Sequence, residues 1–143
     1  MITYRLMTAD DHDALHKVWL STGQETNGAV CADDDHAGLA KYLERNPTMS
    51  FVALDYGEVI ACIMAGHDGR RGFFHHVSVA KEYQGKGIGK ALVELALEAL
   101  RKEGIRKVAL VAFTDNDPGN GFWEKMGFTV REDLYYRNRY TGI

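Results

Sequence analysis

The chain has 143 residues, of which 45% are hydrophobic and 26% charged, and its formal net charge at pH 7 is −3. This length and composition suit one compact domain with a hydrophobic core, so we expect a single domain over residues 1–143. The small negative charge predicts no nucleic-acid or membrane-surface partner. The sequence contains no run of about 18 apolar residues, and its N-terminus lacks the pattern of a signal peptide, so a cytoplasmic protein is expected.

The first half of the chain alternates between strand and helix patterns. ITYRLM alternates like a strand, and TADD is a capping-box-like start of a helix that ends near Gly23. A second helix is predicted over DDDHAGLAKYLERN, and the segment between the two helices, GQETNGAVCA, reads as a loop. Three strands follow, over MSFVALD, EVIACIMAGH and GFFHHVSVA, with a turn at Tyr56-Gly57 between the first two.

The second half centres on one long helix. From Ile88 onward apolar residues recur on one helical face, and Gly104 stands where a C-cap belongs. RKVALVAF predicts a buried strand that pairs in parallel through a right-handed crossover. A short helix with GFWEKM and a last strand or hairpin over FTVREDLYYRNRY complete the chain. The predicted order is β-α-α-β-β-β-α-β-α-β, an α/β (α+β) fold with a mixed central sheet, antiparallel in its middle strands and parallel around the long helix.

Three glycines at alternate positions, Gly85, Gly87 and Gly89, lie in the turn that enters the long helix. Their spacing excludes the dinucleotide fingerprint, which needs glycine where Lys90 stands, and also the longer phosphate loop of nucleotide triphosphatases. Two interpretations remain. Either the backbone N–H groups at the helix N-terminus bind phosphate or pyrophosphate, or the turn merely needs glycine. The adjacent Lys86 and Lys90 favour an anion site.

The two cysteines, Cys31 and Cys62, do not have the spacing of a metal-binding cluster. Cys62 also lies inside an apolar strand pattern, so reduced thiols are expected. No metal is predicted as a cofactor.

Two motifs resemble those of the GNAT superfamily of N-acetyltransferases. VSVAKEYQGKGIGKAL is similar to the cofactor motif Gln/Arg-x-x-Gly-x-Gly/Ala, which Gln84, Gly87 and Gly89 meet. NDPGNGFWEKMGF is similar to a later motif, in which an asparagine precedes a short helix ending in Phe-Tyr-Glu-Lys-x-Gly-Phe. The predicted element order is also that of the family. The resemblance implies an enzyme that transfers an acetyl group from acetyl-CoA to a primary amine, on a protein or peptide N-terminus or a small amine, by direct attack on the thioester.

The resemblance also implies roles for individual residues. The backbone N–H groups of the glycine turn would bind the CoA pyrophosphate, and the end of the preceding strand would run beside the pantetheine arm. The Val79 N–H would point at the thioester oxygen, where donors stabilise developing negative charge. The implied cofactor-binding residues are Val77, Ser78, Val79, Gln84, Gly85, Lys86, Gly87, Ile88, Gly89, Lys90, Asn116 and Phe122.

His76 is the candidate general base, since histidine suits proton removal near neutral pH. Strict strand alternation places His76 and Ser78 on one face and His75 on the other. A histidine partnered inside the sheet is the alternative. The general acid is unassigned, because Trp123 stands where the family often has a tyrosine.

Candidate acceptor-binding residues are Glu25, Asp33 and Tyr136, although the acidic run from Asp33 to Asp35 also suits a helix start. A CoA-binding regulatory module without turnover is the alternative function, and a nucleotide-binding protein is a third. A homodimer through the tyrosine-rich segment DLYYRNRY is an open alternative for assembly.

Overall fold

The computed structural model describes residues 1–24 and 30–143, which fall into two compact units, Met1–Leu110 and Val111–Ile143. The described part of the N-terminal unit contains a sheet and three helices, and the C-terminal unit contains one helix. Within these described ranges, no helix combines the length and the apolar character needed to cross a membrane.

A sheet of five strands organises the described part of the N-terminal unit, in the spatial order β1-β2-β3-β4-β5. The first four strands pair antiparallel, and β5 pairs in parallel with the beginning of β4. The predicted mixed α/β fold class is confirmed. The strands are β1 (Ile2–Leu6), β2 (Phe51–Asp55), β3 (Glu58–His67), β4 (Gly72–Val79) and β5 (Val108–Ala109).

Two helices precede β2, and each follows a short 3-10 turn. The side chain of Asp35 accepts the N–H of Gly38 at 2.7 Å and so caps the second helix. Part of the acidic run before this helix therefore serves as its N-terminal cap. This agrees with the interpretation of the acidic run as a helix start. The helices are α1 (His12–Ser21), α2 (His36–Arg45), α3 (Ile88–Lys102) and, in the C-terminal unit, α4 (Asp117–Lys125).

Helices cover both faces of the sheet in the N-terminal unit. On one face, Trp19 of α1 and Leu39 of α2 belong to a buried cluster that includes Cys62 of β3. On the other face, a β carbon added to Gly72 would lie 3.1 Å from the side chain of Leu100 in α3. Because both faces are covered, β3 is buried along most of its length, which agrees with its nearly continuous apolar sequence.

The hairpin between β2 and β3 turns where the sequence predicts. Tyr56 and Gly57 have φ angles of 50° and 77°, so both central residues of the turn are left-handed. This is the conformation that matches the twist of a two-residue hairpin.

Two predicted strands differ from the structure. The pattern over residues 106–113 predicts a buried strand, but β5 has only two residues, and Val111 and Phe113 are 57% and 48% exposed. The last strand or hairpin predicted over residues 128–140 is wrong, because the described chain has no strand there. Apolar alternation describes side chains only, whereas a strand also needs a neighbouring backbone with which to exchange hydrogen bonds.

Asp11 joins the end of β1 to the beginning of α1. Its two carboxylate oxygens accept hydrogen bonds from the Arg5 guanidinium at 2.8 and 2.9 Å, and one of them also accepts the Thr8 N–H at 2.8 Å. Burial alone would raise the pKa of the Asp11 carboxyl. The hydrogen bonds from Arg5 and Thr8 outweigh burial and hold the pKa of Asp11 below its usual value.

Asp11→Asn should lower the free energy of unfolding at pH 7 by about 1–2 kcal/mol, since Arg5 is half-exposed and regains water when its partner is removed. The lowered pKa of Asp11 stabilises the protein above the unfolded carboxyl value near 4, and this stabilisation is lost as the pH falls through the folded value. Urea unfolding should therefore show a difference between wild type and variant that shrinks from pH 6 to pH 3.

Glu98→Gln is the matched control, because both side chains of the Glu98–Arg101 ion pair on α3 are exposed to solvent. It should change unfolding little at either pH. A difference for Asp11→Asn that is equal at pH 6 and pH 3 would contradict the role given to the ionised carboxylate.

Candidate active site

A β-bulge interrupts the ladder between β3 and β4. His76 and Val77 of β4 together lie opposite the single residue Ile63 of β3. His76 has a φ of 44°, in the left-handed region that residues other than glycine rarely adopt. A bulge bends its strand and changes the direction of the side chains that follow.

The bulge places two consecutive histidines on the face covered by α1 and α2. The His75 ring packs edge-on against Tyr42 with a centroid distance of 5.8 Å, and the His76 ring stacks on Trp19 at 4.4 Å. Ser78 is on this face as well, since its hydroxyl accepts a hydrogen bond from Gln24. The prediction that His75 faces the opposite side is therefore wrong, because the extra residue in the bulge shifts the alternation by one.

Both ring nitrogens of His76 have partners. Nε2 lies 2.9 Å from Oδ1 of Asp34, and Nδ1 lies 2.8 Å from Oε1 of Gln24. The side chains of His76 and Asp34 are only 9% and 10% exposed. His76 is thus a partnered, buried histidine, and the Gln24 side chain covers its Nδ1.

Asp34 carries a negative charge into this buried network. Burial acts to raise the pKa of its carboxyl, but hydrogen bonds from His76 and from the Cys31 N–H, the latter at 2.9 Å, lower the pKa below its usual value. An ionised carboxylate at Nε2 fixes the orientation of the His76 ring.

His75 differs from its neighbour in its surroundings. Packing against rings, including Phe73 at a centroid distance of 4.6 Å, removes water from one side of the imidazole, and His76 is adjacent in the strand. Both effects lower the pKa of His75, with the loss of water the larger.

The end of β4 has an open edge on the side away from β3. The Ala80 N–H donates to the carbonyl of Ile60 at 2.9 Å, and hydrogen-bonded pairs alternate along an antiparallel ladder. Val79, one residue earlier, is therefore in a non-hydrogen-bonded pair, and its N–H points away from β3. In the part of the chain that the structure describes, β5 pairs only with the beginning of β4. The backbone of Val77–Val79 is thus open to an extended ligand in the manner of an added strand.

Gln84 and two left-handed glycines build the turn between β4 and α3. The Gln84 side-chain amide donates to the carbonyl of Val79 at 2.9 Å and ties the turn to the end of the strand. Gly85 and Gly87 have φ angles of 78° and 81°, whereas Gly89 is helical. A β carbon at Gly85 or Gly87 would meet no heavy atom of the described chain within 4 Å. The conformation requires these two glycines, and the open space beside them admits a ligand.

The first turn of α3 presents backbone N–H groups away from the helix. The first hydrogen bond within the helix runs from the Ala91 N–H to the Gly87 carbonyl, and Gly87 as N-cap has no side chain that accepts one. The N–H groups of Ile88, Gly89 and Lys90 therefore have no acceptor inside the helix. Together with the positive end of the helix dipole, these N–H groups are an arrangement that favours negatively charged ligands.

Two lysines lie beside these N–H groups. Lys86 and Lys90 are both exposed, and Nζ of Lys86 lies 5.4 Å from the centroid of the Tyr83 ring. Tyr83 is itself held by Asp55, which accepts the phenol O–H at 2.7 Å. The N–H groups of the first turn of α3 therefore have two cations at their border, one of which is packed on an aromatic ring.

The C-terminal unit holds three more of the predicted residues. Asn116 caps α4 by accepting the N–H of Gly119 at 3.2 Å. The Phe122 ring packs edge-on against Trp123 at 4.9 Å, and Tyr136 is 69% exposed. The cap is one of the hydrogen bonds that Asn116 makes within this unit. The predicted cofactor contacts of Asn116 and Phe122 stay predictions.

The candidate acceptor residues of the N-terminal half are only partly described. Glu25 lies outside the described residues. Asp33 is exposed in the 3-10 turn before α2, while the next residue, Asp34, contacts His76. Within the described acidic run, the structure thus brings Asp34 rather than Asp33 to the histidine.

The sequence was compared with models of known protein families. A family model described as the acetyltransferase (GNAT) family matches residues 12–128. The chain belongs to this family. The resemblance carried by the two sequence motifs is confirmed, and this GNAT protein is an acyltransferase.

Relatives and solved structures agree with this assignment. An acetyltransferase from Pectobacterium atrosepticum is 27% identical over 124 residues, which cover 87% of this chain and 85% of the relative. N-alpha-acetyltransferase 30 from Schizosaccharomyces pombe is 29% identical over 99 residues, 66% of each chain. The crystal structure of PaiA N-acetyltransferase from Thermoplasma acidophilum in complex with coenzyme A has the same fold, with a TM-score of 0.81, 21% identity and coverage of 92% of this chain and 91% of that chain.

Sequence reasoning missed Gln24 and the part that Asp34 plays in this GNAT enzyme. Gln24 is 52 residues from His76 in the sequence, and no local pattern links the two. Asp34 stands in an acidic run typical of a helix start, which hid its contact with the histidine. The pairing of a histidine with a buried carboxylate becomes visible only when α1, α2 and β4 are packed together.

Proposed function

We propose that this GNAT enzyme transfers the acetyl group of acetyl-CoA to a primary amine, either the N-terminus of a peptide or protein or a small amine, by direct attack on the thioester. In this reaction the amine nitrogen forms a bond to the carbonyl carbon, the carbon–sulfur bond breaks, CoA leaves as its thiolate, and the nitrogen loses a proton. The observation that carries the proposal is the set of outward N–H groups where α3 follows the left-handed Gly87.

The glycine turn fits the pyrophosphate of CoA. The N–H groups of the first turn of α3 face open space beside Gly85 and Gly87, and Lys86 and Lys90 add positive charge. The pyrophosphate of CoA carries two negative charges, one on each phosphate, and such an anion is a ligand that a helix N-terminus binds well. We assign the residues from Gln84 to Lys90 to this contact.

The open edge of β4 fits the extended arm of the cofactor. The Val79 N–H points away from β3, so it would donate to the thioester oxygen as negative charge develops there. Donors of this kind typically lower a barrier by about 3–4 kcal/mol. Val77 and Ser78 would place the arm beside the strand, although the Ser78 hydroxyl itself is engaged with Gln24.

Among the two acceptor classes, we propose an α-amine as the preferred one. An α-amino group with a pKa near 8 needs about 1–1.5 kcal/mol to become neutral at pH 7, whereas a lysine side chain needs about 4–5 kcal/mol. In the described residues Gln24 covers Nδ1 of His76, so this histidine is poorly placed to deprotonate a strongly basic amine. The name of the Schizosaccharomyces pombe relative, an N-alpha-acetyltransferase, is in line with this preference.

The first experiment is a thermal unfolding series with saturating acetyl-CoA, ATP or NADH. A ligand at about a hundred times its Kd stabilises the folded state by about 2.7 kcal/mol, so acetyl-CoA alone should raise Tm by several degrees. Equal stabilisation by ATP or NADH would favour a nucleotide-binding protein instead. Turnover of peptides and small amines is then measured by mass spectrometry of the products. Stabilisation by acetyl-CoA without any turnover would favour a regulatory module.

Gly87→Ala should weaken acetyl-CoA binding at least about tenfold, or about 1.4 kcal/mol, because its β carbon would occupy the open space in front of the N–H groups. Gly57→Ala is the matched control, since Gly57 has nearly the same φ and also faces open space in a distant turn. Both variants should lose about 1–2 kcal/mol of stability from the left-handed conformation. Calorimetric titration should find weakened binding in Gly87→Ala alone, and equal affinity in the two variants would refute the assigned contact.

His76 as general base stays a prediction, and its test separates chemistry from packing. His76→Ala should lower kcat most at pH values below the pKa of the acceptor amine, where a proton must be removed. Asp34→Asn should change the same pH profile by misorienting the ring. His75→Ala, which removes the neighbouring histidine, is the control. If His76→Ala lowers Tm but leaves the shape of the pH–rate profile unaltered, the histidine is only a packing residue.

A further inference from the structure

A cluster of ligand-type side chains lies where the N-termini of α1 and α2 meet, apart from the residues assigned to acetyl-CoA. Nε2 of His36 lies 3.0 Å from Oδ1 of Asp13, and Nδ1 of His12 lies 3.7 Å from the same oxygen. The ligand atoms of the three side chains are all within 4.8 Å of one another. The rings of His12 and His36 have centroids 3.9 Å apart.

His12 is held in the tautomer that a metal ligand needs. Its Nε2 lies 2.7 Å from the main-chain carbonyl of Asp34, and because a carbonyl oxygen only accepts, Nε2 carries the hydrogen. In the neutral ring Nδ1 therefore has a free lone pair. Metal-binding histidines usually donate their other N–H to a carbonyl or carboxylate in this way.

The lone pair of Nδ1 is buried without a hydrogen bond. The His12 side chain is only 9% exposed, and Nδ1 has no hydrogen-bond partner among the described residues, since the 3.7 Å to Asp13 is too long. A buried polar atom without a partner is costly, and such atoms often mark an ion or a water. The nearby side chains that Nδ1 approaches are themselves typical metal ligands.

The spacing of the three side chains suits a zinc-like ion. Zinc bonds of about 2.0–2.1 Å at tetrahedral angles put neighbouring ligand atoms about 3.3–3.4 Å apart. The two observed distances, 3.0 and 3.7 Å, lie on either side of this value. Two imidazoles and one carboxylate form a ligand set that suits divalent transition metals such as Zn²⁺. Mg²⁺ and Ca²⁺ prefer sites made of oxygen ligands.

We propose that His12, Asp13 and His36 bind a divalent transition metal ion of the zinc class, which links α1 to α2. The ion enters from solvent, because Asp13 and His36 are 85% and 68% exposed. The positive ends of the two helix dipoles oppose a cation here, and the Asp13 carboxylate compensates for them. The sequence predicted no metal because His12 and His36 belong to different helices and form no local ligand pattern.

The test is calorimetric titration of the tag-free protein with ZnCl₂, in a Cys31→Ser background so that the exposed thiol cannot contribute. Saturable binding of one ion is expected. Asp13→Asn and His36→Ala should each weaken it at least about tenfold. Both side chains are exposed, so Tm without metal should fall by no more than about a few degrees in either variant. Substitution with Co²⁺ should give the absorption bands of a low-coordinate site, and they should be absent in His36→Ala.

His16→Ala is the matched control. His16 lies one turn after His12 on α1, with ring centroids 6.1 Å apart, so a pair formed by these two histidines is the competing site. The proposed site predicts that His16→Ala binds zinc like the parent protein. Loss of binding in His16→Ala with full binding in His36→Ala would overturn the proposal, and so would the absence of saturable zinc binding in the parent. Neither result depends on acetyl-CoA, so the proposed acetyl transfer is tested separately.

Discussion

The change of register between β3 and β4 is the constraint on which the candidate site depends. Two residues of β4 face Ile63 of β3, and the left-handed φ of His76 absorbs the extra length. Beyond the bulge the hydrogen bonds resume with Ala80 bonded to Ile60, which sets the direction of the Val79 N–H. A regular ladder would keep the strict alternation of side chains. The bulge thus determines both the outward direction of the Val79 N–H and the side chains on the helical face. The edge itself is open because, in the described chain, β5 pairs only with the beginning of β4.

The glycine turn links the end of β4, beyond the bulge, to the beginning of α3. Gln84 holds the carbonyl of Val79, so the end of β4 and the beginning of α3 are joined by a side chain as well as by the main chain. Left-handed Gly87 then starts the helix without a capping side chain. A serine or aspartate as N-cap would accept one of the first N–H groups with its side chain and leave fewer for a ligand. The chain therefore gives up helix-capping stability at the point where an anion is expected.

Asp34 connects His12 of α1 to His76 of β4 on the face of the sheet that α1 and α2 cover. Its main-chain carbonyl accepts the His12 N–H, and its carboxylate accepts that of His76, so one residue joins α1 and β4 through different atoms. Its low pKa keeps the carboxylate charged in a largely buried place. His12 at the N-terminus of α1 and His76 in β4 thus share one hydrogen-bond partner. This arrangement makes the helical face one connected network.

Much of this protein follows from the sequence by itself. Periodicity predicts α3, the turn at Tyr56-Gly57 and the central strands, because these depend on local side-chain patterns and on residues that tolerate a positive φ. The motif around Gly87 and the later motif around Trp123 are also local patterns, and together they indicate the family. The tertiary structure alone decided the bulge at His76, the short β5 and the absence of a strand over residues 128–140 in the described chain. It also decided the contacts of Asp34. Each of these depends on which distant backbone or side chain supplies the hydrogen-bond partner, and that choice is made by packing rather than by local sequence.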